Sequence, residues 1–133
     1  MASTISKTPP KARFKHLNLF QIRLPLPGIL SIMHRISGAG LFLFLPLLLW
    51  LLDRSLDTEI GYDAVKGYLS LPILKIIMIG LLYAFMHHFC AGIRYLFLDM
   101  HKGVDLKSAR MSAGAVYVFS IPLTLLAAWL LLF

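Results

Sequence analysis

The sequence predicts an all-α protein: an integral membrane bundle of three transmembrane helices, with its N-terminus on the cytoplasmic side. Three observations carry that prediction. Of the 133 residues, 59% are hydrophobic and only 14% are charged, which is not the balance of an ordinary soluble domain. The apolar residues collect into three runs, about 29–52, 71–98 and 113–133, each long enough to cross a bilayer. The lysines and arginines sit unevenly in the connections between them, and that bias sets orientation.

Residues 1–27 read as a cytoplasmic N-terminal segment and 28–133 as the transmembrane anchor domain. The first segment holds Lys7, Lys11, Arg13, Lys15 and Arg23 without an acidic residue, and Pro9, Pro10, Pro25 and Pro27 argue against one continuous helix. A cleavable signal peptide is disfavoured, because the apolar run that follows is too long and lacks a small-residue cleavage site. The net charge of +7 is explained by residues flanking apolar spans, where topology and anionic headgroups use them. No nucleic-acid motif accompanies it. Cys90 is the single cysteine, so no intramolecular disulfide forms; inside a span it reads as inert packing.

The first span is Leu/Phe-rich from Leu41 to Leu52, with Pro46 tolerated as a kink within a bundle. Its opening is polar and small instead: Ser31, His34, Arg35, Ser37, Gly38 and Gly40. Residues 53–70 carry Asp53, Asp57, Glu59 and Asp63 against Arg54 and Lys66, and read as a loop. Pro72 suits the first turn of the next helix, where a missing N–H costs little. The second span, roughly 42 Å if fully helical, exceeds a ~30 Å hydrocarbon core, so its ends reach the headgroups. Residues 99–110, with Lys102, Lys107 and Arg110, form a short loop. The third span holds Tyr117, Ser120, Pro122 and Thr124 but no charge, and reads as structural. Five basic residues in the N-terminal segment and three in the second loop, against two in the first, place segment and second loop together in the cytoplasm.

Ionisable groups at membrane depth are expensive, so an intramembrane histidine is a functional-site candidate by default. His87, His88 and Arg94 lie in the second span, and Ser31, His34 and Arg35 open the first. With antiparallel spans, both clusters fall in the cytoplasmic half of the bilayer. Ser31, His34, Arg35 and Gly38 share one helix face, and His88, Ala91, Gly92, Tyr95 and Asp99 share another. An imidazole one turn from a glycine offers a metal-ligating nitrogen beside bare backbone, which suits a large flat cofactor such as haem. Interhelical hydrogen bonding by the histidine, close packing at Gly92, and interfacial anchoring by Arg35 and Arg94 explain the same residues. Periodicity alone leaves both readings open.

The string Leu30-Ser31-Ile32-Met33-His34-Arg35-Ile36-Ser37-Gly38, followed by His88-x-x-x-Gly92-Ile93-Arg94 and Asp99, resembles the cytochrome b subunit, a membrane anchor, of bacterial succinate dehydrogenase. Leu17-Asn18-Leu19 and Ile22-Arg23-Leu24-Pro25 resemble its proteobacterial branch. The resemblance implies a non-catalytic anchor of a succinate:ubiquinone oxidoreductase in the bacterial inner membrane. It implies that His88 is an axial ligand of haem b, with the other ligand from a second membrane anchor subunit. It implies that Ser31 and Arg35 line the ubiquinone pocket and that His34 and Arg35 approach the haem propionates. An iron–sulfur subunit and a flavoprotein subunit are the further partners implied. His87, about 100° round the helix from His88, is expected to pack or to face lipid. Two features depart from the family pattern: Tyr95 stands where some relatives have histidine, and Arg23-Leu24-Pro25-Leu26-Pro27 replaces a longer proline-and-histidine motif. A fumarate reductase-type anchor is the near alternative. A small transporter or proton-relay component, or a cofactor-free assembly anchor, are alternatives of another class.

Overall fold

The computed structural model describes residues 23–132; the expectations for Lys7 to Lys15 and for Leu17 to Ile22 lie outside them. Four helices follow one another: α1 Leu26–Asp57, α2 Glu59–Ser70, α3 Pro72–Asp99 and α4 Leu106–Leu132. Helices α1, α3 and α4 are long and apolar enough to cross a membrane. Their outward faces agree with that, since Phe42 and Leu43 are 73% exposed and Trp129 and Leu130 are 70% exposed. Surfaces of that kind are stable against lipid rather than water.

Prolines define two helix starts. Pro27 and Pro72 occupy the first turns of α1 and α3, where their missing N–H would have no helical partner anyway. Pro46 and Pro122 lie inside α1 and α4 without ending them. Two expectations are corrected here: residues 53–57 and 59–70 are helical, not a loop, and residues 106–110, expected in the second loop, open α4. Helix α1 runs on to Asp57, and Thr58 caps α2 by accepting the Gly61 amide on its Oγ1 at 3.0 Å. Gly61 is required there, because a Cβ would collide with the Arg54 carbonyl oxygen at the end of α1. Tyr62, Val65 and Leu69 follow at helical spacing, and Val65 is the buried one.

The turn from α3 to α4 is equally defined. The Lys102 amide reaches back to the Phe97 carbonyl at 3.1 Å and the His101 amide to Leu98 at 2.9 Å. Those two bonds form a Schellman cap, with His101 at φ 57° in the left-handed position that glycine more often fills. Asp105 then caps α4, its Oδ2 accepting the Ser108 amide at 2.9 Å.

Helix α3 is central, packing on α1, α2 and α4. The core cluster is Leu30, Ala91, Ala113 and Val116, with Cys90, Tyr95 and Tyr117 against it. Ser37, His87, Arg94, Ser120 and Thr124 are buried with it. Polar side chains in a bundle interior of this size need partners or carry a cost, and how each fares separates the two faces of α3.

Candidate functional site

Both polar clusters meet where the first third of α1 crosses the second half of α3. The imidazoles of His34 and His88 stack with centroids 4.1 Å apart and planes 10° from parallel. Tyr95 packs on the other side of His34 at 5.0 Å. The face read from periodicity is therefore a physical contact: His34 lies between His88 and Tyr95.

His88 is fixed by hydrogen bonding as well as by stacking. Its Nδ1 lies 3.0 Å from the His34 carbonyl oxygen. A carbonyl can only accept, so Nδ1 carries the proton and Nε2 keeps its lone pair. That tautomer is the metal-ligating form, and a bond of this type from the second ring nitrogen is what usually orients such a ligand. Ser37 Oγ stands 3.2 Å from the same Nδ1 and donates to the His34 carbonyl at 2.9 Å. Gly38 supplies the space. A Cβ on it would lie 2.8 Å from His88 Cε1, closer than such atoms approach.

Gly92, expected to leave bare backbone for a flat cofactor, has open space beside it: a Cβ there would meet only His34 Nε2, at 4.0 Å. The close approach of protein to protein is at Gly38, because the ring of His88 leans onto α1. His34 Nε2 is buried with no partner among the described residues, as is the Tyr95 hydroxyl. On the same stretch of α1, Arg35 Nη2 donates to Ser31 Oγ at 3.1 Å. Arg35 is exposed, so its guanidinium has donors to spare.

The other face of α3 decides two open expectations. His87, expected to pack or to face lipid, packs: it is wholly buried between Tyr83 and Tyr117, at centroid distances of 5.7 and 5.2 Å. Neither of its nitrogens has a partner among the described residues. Arg94 is not an interfacial anchor. It is 7% exposed and ties α3 to α4, donating from Nε to Ser112 Oγ at 2.9 Å and from Nη2 to the Ala109 carbonyl at 3.3 Å. Its guanidinium also lies 5.4 Å from the centre of the Tyr95 ring. Sequence reasoning missed Ser37 as a partner of His88, although it sits inside the string that carried the resemblance.

The fold defines the class first: an all-helical protein with three membrane-span candidates and a directed imidazole where two of them cross. Comparison then gives the family. A family described as succinate dehydrogenase/fumarate reductase transmembrane subunit matches residues 7–127. The succinate dehydrogenase cytochrome b556 subunit of Rickettsia felis is 36% identical over 114 residues, covering 84% of this chain and 85% of the relative. That of Coxiella burnetii is 36% identical over 117 residues, covering 86% and 94%. That of Paracoccus denitrificans is 32% identical over 111 residues, covering 84% of each. The chain belongs to the family of succinate dehydrogenase cytochrome b556 subunits, the membrane subunits of that complex. A free-standing transporter is thereby set aside.

Proposed function

We propose that this subunit provides one axial ligand, His88, to a haem b shared with a second membrane anchor subunit, and part of a ubiquinone pocket through Ser31 and Arg35. The relatives are named as cytochrome b556 subunits, and the question is whether the residues here fit a b-type haem. One observation carries the answer: the bond from His88 Nδ1 to the His34 carbonyl, 3.0 Å, which leaves Nε2 in the form that binds iron. The buried, unpartnered Nε2 of His34 and the exposed guanidinium of Arg35 suit the propionates. Arginine pairs with carboxylates through a planar fork. Bound there, a haem b supplies a one-electron redox centre.

The chain's own residues do the rest by position. Stacking on His34 and contact with Gly38 hold the His88 ring against rotation. Because Arg35 donates to Ser31 Oγ, the Ser31 hydroxyl proton is directed elsewhere and is available to a quinone carbonyl. Arg35 keeps further N–H groups for the negative charge that develops on the quinone oxygen as it is reduced. In this reading the basic N-terminal segment and the α3–α4 connection lie on the cytoplasmic face of the bacterial inner membrane, where the iron–sulfur subunit docks. One cysteine cannot ligate an iron–sulfur cluster, so the cluster and the flavin belong to the iron–sulfur and flavoprotein subunits.

The test is made in the co-expressed complex. His88→Ala is expected to remove the b-type signal from the reduced-minus-oxidised spectrum at unchanged complex abundance; retention of that signal would sink the ligand assignment. Ser31→Ala and Arg35→Ala are each expected to slow quinone reduction roughly tenfold, the worth of one hydrogen bond in a transition state. Succinate oxidation with an artificial acceptor should stay intact. Equal loss in both assays would point to assembly, not to a quinone pocket.

A further inference from the structure

We infer that Ser37 is a positioning residue for the ligating imidazole: its hydroxyl donates to the His34 carbonyl, shares with that carbonyl the hydrogen bond from His88 Nδ1–H, and so sets the electron richness of the ring. The inference rests on the reading of His88 as a haem ligand and goes beyond it by assigning the group that tunes that ligand.

The argument begins with a surplus of donors. Ser37 Oγ lies 2.9 Å from the His34 carbonyl, and His88 Nδ1 lies 3.0 Å from that same oxygen. Residue 34 is inside α1, where its carbonyl also receives the amide of residue 38. Three donors therefore converge on an oxygen with two lone pairs. The serine eases the crowding, because Oγ is itself 3.2 Å from His88 Nδ1 and a hydroxyl accepts as well as donates. The Nδ1–H is then shared between the carbonyl at 3.0 Å and Oγ at 3.2 Å, while the Oγ–H stays on the carbonyl.

A serine bonding back to the carbonyl three residues earlier is common in helices and by itself means little. Two facts lift this one above that. Ser37 is 7% exposed, so water does not compete for its hydroxyl, and its oxygen reaches a ring on a different helix. Hydrogen bonds in series polarise one another in a low-dielectric interior. An acceptor on the far nitrogen raises the basicity of a ligating imidazole. More electron density at the ring favours the oxidised metal, so removing the hydroxyl should raise the midpoint potential.

The experiment uses the intact complex with Ser37→Ala, Ser37→Thr and His88→Ala, followed by optical redox titration and by the electron paramagnetic resonance of the oxidised haem. Ser37→Ala is expected to keep haem at the wild-type ratio, with a more positive midpoint and shifted resonances. Ser37→Thr, which restores a hydroxyl, should return both toward wild type. Haem loss in Ser37→Ala with retention in Ser37→Thr supports the same role. An unchanged midpoint in Ser37→Ala, or equal changes or equal haem loss in both variants, overturns it. Retention of haem by His88→Ala would instead defeat the ligand assignment beneath it, whatever the Ser37 variants show.

Discussion

His87 and His88 are neighbours on one helix, and their surroundings could hardly differ more. His88 turns toward α1, where a carbonyl fixes its tautomer, His34 stacks on its face and Gly38 makes room for its edge. His87 turns toward α4 and is wholly buried, yet neither of its nitrogens is bonded among the described residues. Depth is therefore a poor guide to which histidine works. A ring with one nitrogen committed has a defined second nitrogen; a ring with neither committed has no assigned chemistry and only packs. The α1–α3 crossing uses its polar groups to orient an imidazole. The α3–α4 crossing uses them to hold two helices together through Arg94, Ser112 and Ala109.

The sharpest way to break this comparison is through the glycines. Gly38→Ala places a methyl 2.8 Å from His88 Cε1, and both the ring and the α1 backbone are held, so the ring must swing off its carbonyl. The expected outcome is loss of most of the b-type haem from an otherwise assembled complex. Gly92→Ala adds a methyl at an ordinary 4.0 Å from His34 Nε2 and should keep haem near the wild-type ratio. Pyridine haemochrome content per flavin measures both. Haem loss in Gly92→Ala as well would mean that the cofactor lies against the bare backbone of α3, and the two glycines would then serve one site from opposite helices.

The glycines also show how much the sequence could tell. Three long apolar runs left little choice about the spans, and Pro72 marked its helix start correctly. The pairing of the His34 face with the His88 face followed from helical spacing and antiparallel order. Helix α2 was hidden by the acids of residues 53–63, although Thr58 as a cap and Tyr62, Val65 and Leu69 at helical spacing were its legible signals. Gly38 and Gly92 are alike in sequence, each one turn from a histidine. Which of them is pressed by a ring depends on how α1 and α3 cross, and no local pattern carries that. The same crossing decides that Ser37 meets His88. The fate of His87 and Arg94 depended on α4, a helix whose polar residues looked incidental.

A second contrast has opposite signs on the two kinds of buried polar group at α3–α4. His87→Phe replaces a ring with unbonded nitrogens by an apolar ring of similar shape. The thermal midpoint of the complex should hold or rise, with haem retained, since an unsatisfied buried group costs about 1–3 kcal/mol. Ser112→Ala does the reverse, stripping the acceptor from the Arg94 Nε–H 2.9 Å away. A charged donor left without its partner should destabilise by about 1–2 kcal/mol, read as a lower midpoint in the same assay. A fall in His87→Phe as large as that in Ser112→Ala would mean that His87 has a bonded role after all.

The smallest effect lies outside the membrane, at the start of α4. The Ser108 amide, first, and then its hydroxyl hold the Asp105 carboxyl below the usual carboxylate range. A group whose value is depressed on folding adds stability above its unfolded value, near about 4, and that contribution is lost as pH falls through the folded value. Asp105 is fully solvent-exposed, so only the first turn should respond. Protection of the Ser108 amide, taken relative to its intrinsic exchange rate, should be steady from neutral pH down to the unfolded carboxylate range and then fall. Asp105→Asn keeps an acceptor that does not titrate and should flatten that profile, while Asp105→Ala should lower protection at every pH. Haem content should stay at the wild-type ratio in both variants, because the capped turn lies on the α4 side of α3, across the helix from His88. A change in the b-type spectrum of Asp105→Ala would show that the two faces of α3 are coupled, and the division between an orienting face and a packing face would then fail.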